Sequence, residues 1–355
     1  MSNTEKNLEQ ERLDKLARIR NHVNGLETRA NEAMTTGQDG FGQDFVPSDL
    51  ASMVMQKVRN ASTFVSKLGT PIVMPSNPYK MPLEGSDPVW YASSEQANVP
   101  GTEFTKSKAG TGDLVLTAFK YTTNVYASGE LDEDSIVNIR QYLADKFSKS
   151  YAELLDSVWY NSDTVTGATG NVNSDDGAPV AGTYYLHTDG LIKNAITNSK
   201  VINAGTLDLA DIRDARKLMG LKGLNPADLL LVVNTDTYFK MLWLTQAETV
   251  EKFGGRATVV NGTLSAIDGI EVLPTSLISN AEADGKMSSV TPANNTLGRA
   301  LLVYKPDLIH GFKRGLQVYT EYLPEFDQFR FTGHVRFAIK QKDTDGVVLL
   351  RNITV

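Results

Sequence analysis

The stretch from Gly69 to Gly112 reads GTPIVMPSNPYKMPLEGSDPVWYASSEQANVPGTEFTKSKAGTG and contains six of the 13 prolines of the chain. Because proline has no N–H to give to a sheet, this composition favours an edge ribbon or an extended arm over a central strand. A connection of this length is unusual inside a compact domain. We therefore expect a projecting hairpin whose apolar side chains are buried by a neighbouring molecule. These side chains are Ile72, Val73, Met74, Trp90, Tyr91 and Phe104.

A strand and a long helix are predicted directly after this stretch. Residues Leu114–Tyr126 alternate apolar and polar side chains and are rich in strand-forming types, which predicts a strand. An apolar stripe at helical spacing predicts a long helix over 135–160. The four carboxylates of the segment 130–134 lie at its start, where the helix dipole favours negative charge. The same carboxylates would also suit the acid and base of a hydrolase.

The middle of the chain indicates a second core. Residues Asn161–Pro179 are rich in Gly, Ser, Asn and Asp and predict an exposed loop or a domain crossing. A helix is predicted over Asp208–Met219, with Asp208 as its N-cap and Gly220 at its end. The continuous apolar run Leu229–Val233, followed by a helix that opens at Thr235, indicates a buried strand in an α/β core.

Turns and strands dominate the last third of the chain. Asn261-Gly262 and Asp268-Gly269 are typical of hairpin turns, and Asp345-Gly346 predicts a third turn. From Arg299 onward, four segments have the composition of strands. They are Ala300–Tyr304, Leu316–Tyr322, Phe329–Lys340 and Val347–Val355.

The N-terminal segment Thr4–Met34 has the pattern of a charged amphipathic helix. Apolar residues such as Leu16 and Val23 recur three and four positions apart, as in a coiled-coil seam. Either this helix rests on its own domain or it is an arm that contacts another chain. The glycine-rich segment Thr35–Asp44 predicts a linker, and a short helix is predicted over Ser48–Val58.

Composition and charge exclude several classes of protein. At about 150 residues per domain, 355 residues favour two compact units, and an apolar share of 41% is that of a globular protein. The net charge of −7 provides no overall basic field to hold nucleic acid or an anionic membrane. The chain has 0 Cys, which excludes disulfides and thiol nucleophiles. Residues 1–20 have no apolar run of a secretory signal, and we expect no membrane span.

The sequence predicts no catalytic residue, no cofactor site and no metal site. Asp343 begins a calcium-loop-like run, but Val348 and Thr354 stand where an EF-hand needs Gly and Glu. No phosphate-binding loop, zinc-binding helix motif or serine nucleophile elbow is present. His310 among turn residues and His334 within a strand are expected to be surface or packed imidazoles. We therefore expect a protein that is not an enzyme.

Several segments, in this order, resemble the tailed-bacteriophage major capsid (head) protein family, whose fold also forms encapsulin shells. Residues 89–135 are similar to the family's long E-loop, the strand after it and the entry to its spine helix. Three further segments resemble the A-domain of the family. They are 207–219 (LDLADIRDARKLM), 229–244 (LLLVVNTDTYFKMLWL) and 258–278 (TVVNGTLSAIDGIEVLPTSLI). The ending, 299–322 and 329–355, is similar to the closing strands of the P- and A-domains.

The resemblance implies an α+β capsid fold with an A-domain, a P-domain, a long spine helix, an extended E-loop and an N-terminal arm. The implied boundaries are as follows: 1–35 for the N-terminal helix, an arm or short scaffold-like segment; 36–68 for the N-arm and short helix; 69–113 for the E-loop; 114–178 with 306–342 for the P-domain, including the spine helix 135–160; and 179–305 with 343–355 for the A-domain.

The implied function is structural. Many copies would form pentamers and hexamers that tile an icosahedral shell and enclose double-stranded DNA without reading its sequence. We expect assembly in the host cytoplasm, a location in the virion, no membrane contact, and portal and scaffolding or decoration proteins as further partners. The residues expected to contact neighbouring subunits lie in the arm and the N-terminal helix. They are Ile72, Met74, Tyr79, Lys80, Glu84, Trp90, Tyr91, Phe104, Leu16 and Val23.

Alternatives remain open at this point. An encapsulin-type shell shares the fold and differs in its cargo, and a soluble hydrolase would use the acidic segment 130–134. The N-terminal helix is expected to be a retained arm or an unprocessed scaffold segment. Some family members join subunits through a Lys–Asn isopeptide bond. Lys80, Lys106 and Lys108 could supply the lysine, but no Asn or Glu partner matches, so we expect a non-covalent shell.

Overall fold

The structure is a computed structural model that describes residues 64–92, 105–134, 139–244 and 263–355. The helices predicted over Thr4–Met34 and Ser48–Val58, the linker between them and the turn at Asn261-Gly262 lie outside these residues. The described residues fall into two compact units. The smaller unit holds 122–134, 139–147 and 317–334, and the larger unit holds 64–92, 105–121, 148–244, 263–316 and 335–355.

Six α-helices and twelve strands occur in the described residues. The helices are α1 (Phe64–Lys67), α2 (Gly129–Asp134), α3 (Ile139–Asn161), α4 (Leu191–Thr197), α5 (Leu209–Leu218) and α6 (Thr235–Leu242). The strands are β1 (Ile72–Val73), β2 (Tyr79–Glu84), β3 (Thr111–Leu116), β4 (Phe119–Ser128), β5 (Val201–Gly205), β6 (Leu229–Asn234), β7 (Ala266–Ile267), β8 (Ile270–Thr275), β9 (Leu297–Tyr304), β10 (Leu308–Leu323), β11 (Gln328–Gln341) and β12 (Val347–Thr354).

A six-stranded sheet forms the centre of the larger unit, with strand order β5-β12-β9-β6-β8-β7. Every residue of β6 is buried. Successive side chains of a strand point to opposite faces, and here they enter two different apolar clusters. Leu230 and Val232 pack in one cluster, and Leu229, Leu231 and Val233 pack in the other. Both faces are covered, and so the sequence of β6 is continuously apolar rather than alternating.

Helices cover the two faces of this sheet. On one face, α4 and the C-terminal part of α3 contribute Leu191 and Trp159 to the first cluster. On the other face, α5 and α6 contribute Ile212 and Met241 to the second cluster. The predicted α/β core is therefore confirmed.

The other strands form two smaller sheets. The order β1-β10-β11-β4 gives a four-stranded sheet, and β2 and β3 pair as an antiparallel ribbon. The smaller unit has its own apolar cluster, to which α2, α3, β4 and β11 contribute. Its buried members are Ala127, Leu131, Ile139, Leu143, Phe147 and Phe331.

The predicted helix that begins after Asp208 and the predicted turn at Asp268-Gly269 are confirmed. Asp208 caps α5 and forms a capping box with Asp211. Gly220 has a φ of +62°, the left-handed backbone typical of a residue just after a helix. Asp268 and Gly269 have φ of +50° and +78° and join β7 to β8 as a two-residue hairpin turn.

The single strand predicted over Leu114–Tyr126 is wrong in one respect, because the chain breaks it between β3 and β4 at Thr117 and Ala118. β3 pairs with β2, whereas β4 lies beside β11 in the four-stranded sheet. Alternating apolar and polar side chains indicate an extended backbone, but they do not indicate that the chain changes its partner strand.

The loop predicted over Asn161–Pro179 is confirmed beyond the end of α3, but only part of it is exposed. Thr164 and residues 166–169 are exposed, whereas Asp163 and Asn171 are fully buried. The Asp163 carboxylate accepts the backbone N–H of Val165 at 2.9 Å and that of Val172 at 2.8 Å. It also lies 3.1 Å from the Lys193 ammonium group. Polar side chains are buried in this segment because they satisfy one another and the local backbone.

His310 was predicted among turn residues, but it lies within β10 and is 5% exposed. Its ring meets that of Phe312 edge-on, with centroids 5.6 Å apart. Of the two environments expected from the sequence, surface or packed, His310 has the packed one, and it lies in a strand rather than a turn.

Candidate inter-subunit surface

The ribbon of β2 and β3 with its distal residues, 79–92 and 105–116, is called the arm hairpin below. Its base is anchored in an apolar cluster of Met74, Leu116, Ala118 and Ala338, and Tyr79 and Met81 pack against this cluster. Gly311 makes room for Met74, since a Cβ at Gly311 would lie 2.9 Å from the Met74 sulfur. The base of the arm hairpin therefore has a core contact of its own.

Asn77 joins the base to the bend between β3 and β4. Its side-chain Oδ1 accepts the backbone N–H of Ala118 at 2.8 Å, and its Nδ2 donates to the Ala118 carbonyl at 3.0 Å. Both backbone groups of Ala118 are thus satisfied where β3 has ended and β4 has not begun.

The ribbon has a fixed register from Tyr79 opposite Leu116 to Glu84 opposite Thr111. Beyond β2 and β3, the Gly85 N–H donates to the Gly110 carbonyl at 3.2 Å, and the Gly110 N–H donates to the Ser86 carbonyl at 2.7 Å. A Cβ at Gly85 would lie 2.5 Å from the Gly110 carbonyl carbon, closer than real contacts allow. Glycine at these two positions lets the backbones approach closely enough to extend the ribbon.

The distal end of the arm hairpin exposes large apolar side chains. Trp90 is 96% exposed, and Val89 and Tyr91 are 58% and 52% exposed. A tryptophan presents on the order of 200 Å², which corresponds to about 5 kcal/mol if it is buried at about 25 cal/mol per Å². Contiguous exposed apolar residues of this kind mark an interaction surface.

The predicted contact residues separate into two groups. Trp90, Tyr91, Glu84 and Lys80 are exposed. The Lys80 ammonium group lies 3.6 Å from the Asp113 carboxylate, an exposed pair of little energetic weight. Among the more buried residues, Ile72 and Tyr79 are half-buried, and Met74 is only 2% exposed. Met74 is therefore corrected to an anchor of its own chain, because it has almost no surface left for a neighbour. Phe104, Leu16 and Val23 lie outside the described residues.

Sequence reasoning missed exposed apolar side chains outside the arm hairpin, and four of them follow the end of a helix or strand. Leu221 and Leu224 follow α5 and are 86% and 71% exposed. Trp243, just after α6, is 74% exposed, and Phe326, in the turn between β10 and β11, is 65% exposed. Each lies just beyond a helix or strand, where periodicity no longer says which side faces solvent.

Two side chains with shifted pKa values hold the structure of loops. Burial lowers the pKa of the Arg299 guanidinium to about 10, although Asp284 opposes the shift. This guanidinium donates to the Ser279 carbonyl at 2.8 and 2.9 Å and to the Gly285 carbonyl at 3.0 Å. Hydrogen bonds led by that from Ser288 hold the pKa of Asp176 well below its usual range. Both groups fix loops of the larger unit.

No cluster of metal-ligating side chains occurs in the described ranges. They contain no group of three or more His, Asp or Glu residues placed to hold a metal ion. Within them, no helix is both long and apolar enough to cross a membrane. In the acidic segment, Glu130 is exposed, and the side chains of 132–134 lie outside the described residues.

Comparison with known proteins identifies the class. Residues 120–350 match the family model described as "Phage capsid protein". This match spans more than half of the chain, and the chain therefore belongs to the phage capsid protein family. No curated protein matches the chain.

Solved structures share the fold at low sequence identity. A chain from Microbacterium phage Oxtober96 is 13% identical, with a TM-score of 0.62, and the match covers 89% of this chain and 98% of that one. A chain from Mycobacterium phage Ogopogo is 16% identical, with a TM-score of 0.61 and coverage of 90% and 99%. The structure titled "Capsid of native GTA particle computed with C5 symmetry" is 12% identical, with a TM-score of 0.59 and coverage of 90% and 99%.

These findings confirm the predicted α+β capsid fold and the predicted function as a capsid protein of the phage head. Membership in this family assigns the chain a structural role and a place in the virion.

Proposed function

We propose that copies of this chain assemble into the closed icosahedral head of a tailed phage by laying the arm hairpin of one subunit over the next. Pentamers and hexamers of the chain enclose double-stranded DNA without reading its sequence. Assembly takes place in the host cytoplasm, and portal and scaffolding or decoration proteins are the further partners. In this proposal the arm is the E-loop at 69–113, and the P- and A-domains have the boundaries implied by the sequence.

The exposure of Trp90 carries the proposal. The base of the arm hairpin packs in the cluster around Met74, whereas Trp90 at the distal end is 96% exposed. An arm that is held at its base and apolar at its end suits burial by another molecule, because exposing apolar surface to water is unfavourable. The net charge of −7 supports weak contact with DNA, since it provides no overall attraction for phosphates.

A substitution at Trp90 tests the proposal. Wild-type chain and Trp90→Ser are purified, run on a sizing column and imaged by negative-stain electron microscopy. We expect rings or shells from the wild type, and from Trp90→Ser a folded, unassembled chain with an unchanged thermal melting curve. Trp243→Ser is the matched control, because Trp243 is also highly exposed, at 74%, but lies outside the arm hairpin.

Two outcomes would contradict the proposal. Shells of normal yield from Trp90→Ser would show that the arm hairpin does not hold subunits together. A wild type that stays monomeric at all concentrations, both alone and with its scaffolding protein present, would show that the chain does not form shells. Absorbance of the shells at 260 nm then separates a genome container from a cargo shell of the encapsulin type.

A further inference from the structure

The larger unit exposes three leucines on the face of its six-stranded sheet that α5 and α6 cover. Leu218, Leu221 and Leu224 are 37%, 86% and 71% exposed. Leu221 lies in the 3₁₀ turn Gly220–Gly223 and Leu224 follows it directly, and residues three apart are aligned in such a turn. Leu221 and Leu224 therefore form a short apolar strip in solvent, and Leu218 lies at the end of α5, before the left-handed Gly220.

Cations lie beside this strip. A cavity of about 300 Å³ is lined by Arg213, Arg216, Lys217, Leu224 and Asp268, together with two glycines. Asp268 is shared by both arginines, at 3.2 Å from Arg213 and 2.5 Å from Arg216. One carboxylate thus faces three cations in the lining, which leaves the cavity positive. The name leucine patch is used here for Leu218, Leu221, Leu224, Arg213 and Lys217.

The opposite face of the same sheet has the opposite charge. The loops 172–180 and 282–290 meet there through hydrogen bonds from Met287 N–H to the Val172 carbonyl, at 2.9 Å, and from Asp175 N–H to the Met287 carbonyl, at 2.8 Å. Val172 belongs to the apolar cluster on the side away from α5. Val290 is 68% exposed at this face.

Carboxylates outnumber cations in these two loops, where Lys286 is the one cation and lies 2.7 Å from Asp175 and 3.6 Å from Asp284. Asp176 accepts the backbone N–H groups of Ser289 and Val290 at 2.7 and 3.1 Å, which fixes the loop that displays Val290. A second cavity, of about 670 Å³, is lined by Glu282, Asp284, Asn294, Thr296 and two alanines. The name acidic patch is used for Asp176, Glu282, Asp284 and Val290.

We infer that the leucine patch of one copy docks on the acidic patch of the next copy in a capsomer. The two patches differ, and they occupy opposite faces of one unit, so the contact between copies is heterologous. Heterologous contacts close into rings when the rotation between copies fits. Contact between two leucine patches would instead bring like charges together. This inference rests on the proposed function and adds a second contact to that of the arm hairpin.

The absence of cysteine from the chain allows a direct test. The variant Leu221→Cys/Val290→Cys is assembled and oxidised, and its products are separated on a non-reducing gel. We expect a ladder of linked subunits, because a disulfide joins only residues whose Cα atoms approach within about 7 Å. Leu221→Cys alone and Val290→Cys alone can form linked dimers at most, and they are expected to give none. Leu221→Cys/Phe326→Cys controls for chance collisions, since Phe326 is 65% exposed and lies in neither patch.

Charge reversal provides an independent readout. Lys217→Glu is expected to lower the yield of shells at least tenfold without changing the melting curve, because Lys217 is exposed. Adding Glu282→Lys to Lys217→Glu is expected to restore most of the yield.

The outcomes separate this inference from the proposed function. Shells that form normally but give no ladder from Leu221→Cys/Val290→Cys overturn the inference alone. A disulfide-linked dimer from Leu221→Cys alone also overturns it, since leucine patches would then meet each other. A wild type that forms neither rings nor shells overturns the proposed function and the inference together.

Discussion

The side chain of Asn77 makes with the backbone of Ala118 the two hydrogen bonds that a neighbouring strand would otherwise make. The side-chain amide of Asn77 pairs with both backbone groups of Ala118, at 2.8 Å to its N–H and 3.0 Å to its carbonyl. Ala118 lies between the end of β3 and the start of β4 and is 4% exposed. One side chain thus stabilises the point at which the chain leaves the arm hairpin and enters the four-stranded sheet.

Replacing Asn77 is expected to weaken this bend. Asn77→Ala removes both hydrogen bonds and should lower the free energy of unfolding by about 1–2 kcal/mol, at about 1 kcal/mol for each bond. Asn77→Asp keeps the acceptor for the Ala118 N–H but turns a second acceptor toward the Ala118 carbonyl, so it should be destabilising as well. Urea denaturation measures both values, and hydrogen exchange at the Ala118 amide reports the site itself. Unchanged exchange in Asn77→Ala would contradict the role assigned to Asn77.

The facing glycines of the arm hairpin give a second prediction. A Cβ at Gly110 would lie 2.7 Å from the Ser86 backbone nitrogen, and a Cβ at Gly85 would meet the Gly110 carbonyl. Gly85→Ala and Gly110→Ala should therefore open the distal ribbon, at a cost of about 1–3 kcal/mol. Limited proteolysis should cleave the arm hairpin faster in both variants, and the yield of shells should fall.

Gly112→Ala is the matched control for these variants. Its Cβ would meet nothing closer than the Leu83 Cβ at 3.8 Å, which is an ordinary contact. Equal cleavage rates in Gly85→Ala and Gly112→Ala would argue against a need for close backbone approach at Gly85.

The sequence predicts the elements of the larger unit well, because each has a local cause. The run Leu229–Val233 is apolar at every position since both faces of β6 are covered, and Asp208 and Gly220 delimit α5 by capping chemistry. These signals need no knowledge of distant residues.

Predictions that depend on distant partners are less successful. The segment after Asn161 is polar enough for an exposed loop, but Asp163 is buried by partners that include Lys193, 30 positions further along the chain. Met74 looked like a residue for a neighbour, yet Leu116 and Ala338 of its own chain bury it. Composition shows that a residue needs a partner and does not show which one. No sequence pattern predicts the exposure of Leu221, because this residue lies past the end of α5.

His310 gives a pH-dependent prediction. Burial lowers the pKa of His310 below its usual 6.5. The unfolded chain then binds a proton more readily than the folded one, so the contribution of His310 to stability is complete above pH 6.5 and declines as the pH falls below it. His310→Leu should flatten the dependence of the free energy of unfolding on pH between about 7 and 5. His187→Gln, which removes an exposed imidazole, is the control. A wild-type slope retained in His310→Leu would show that other groups cause the dependence.

Lys222 illustrates how the burial of one partner determines how much an ion pair contributes to the free energy of unfolding. Burial by itself lowers the pKa of Lys222, but hydrogen bonds to Asp307 and Asp343 outweigh this effect and raise it. Asp307 is 7% exposed, so Lys222→Met would leave a buried carboxylate without its cation. We expect a loss of about 2 kcal/mol in the free energy of unfolding.

Lys200 provides the matched comparison. Its side chain is 21% exposed, against 22% for Lys222, and its ammonium group lies 2.7 Å from Asp345, a carboxylate that is 48% exposed. Water can solvate that carboxylate once the lysine is gone, so Lys200→Met should cost less than about 1 kcal/mol. Lys222→Met combined with Asp307→Asn should recover part of the loss, because no unpaired charge remains buried. Equal losses in the two single lysine variants would mean that the desolvated Asp307 does not determine the cost.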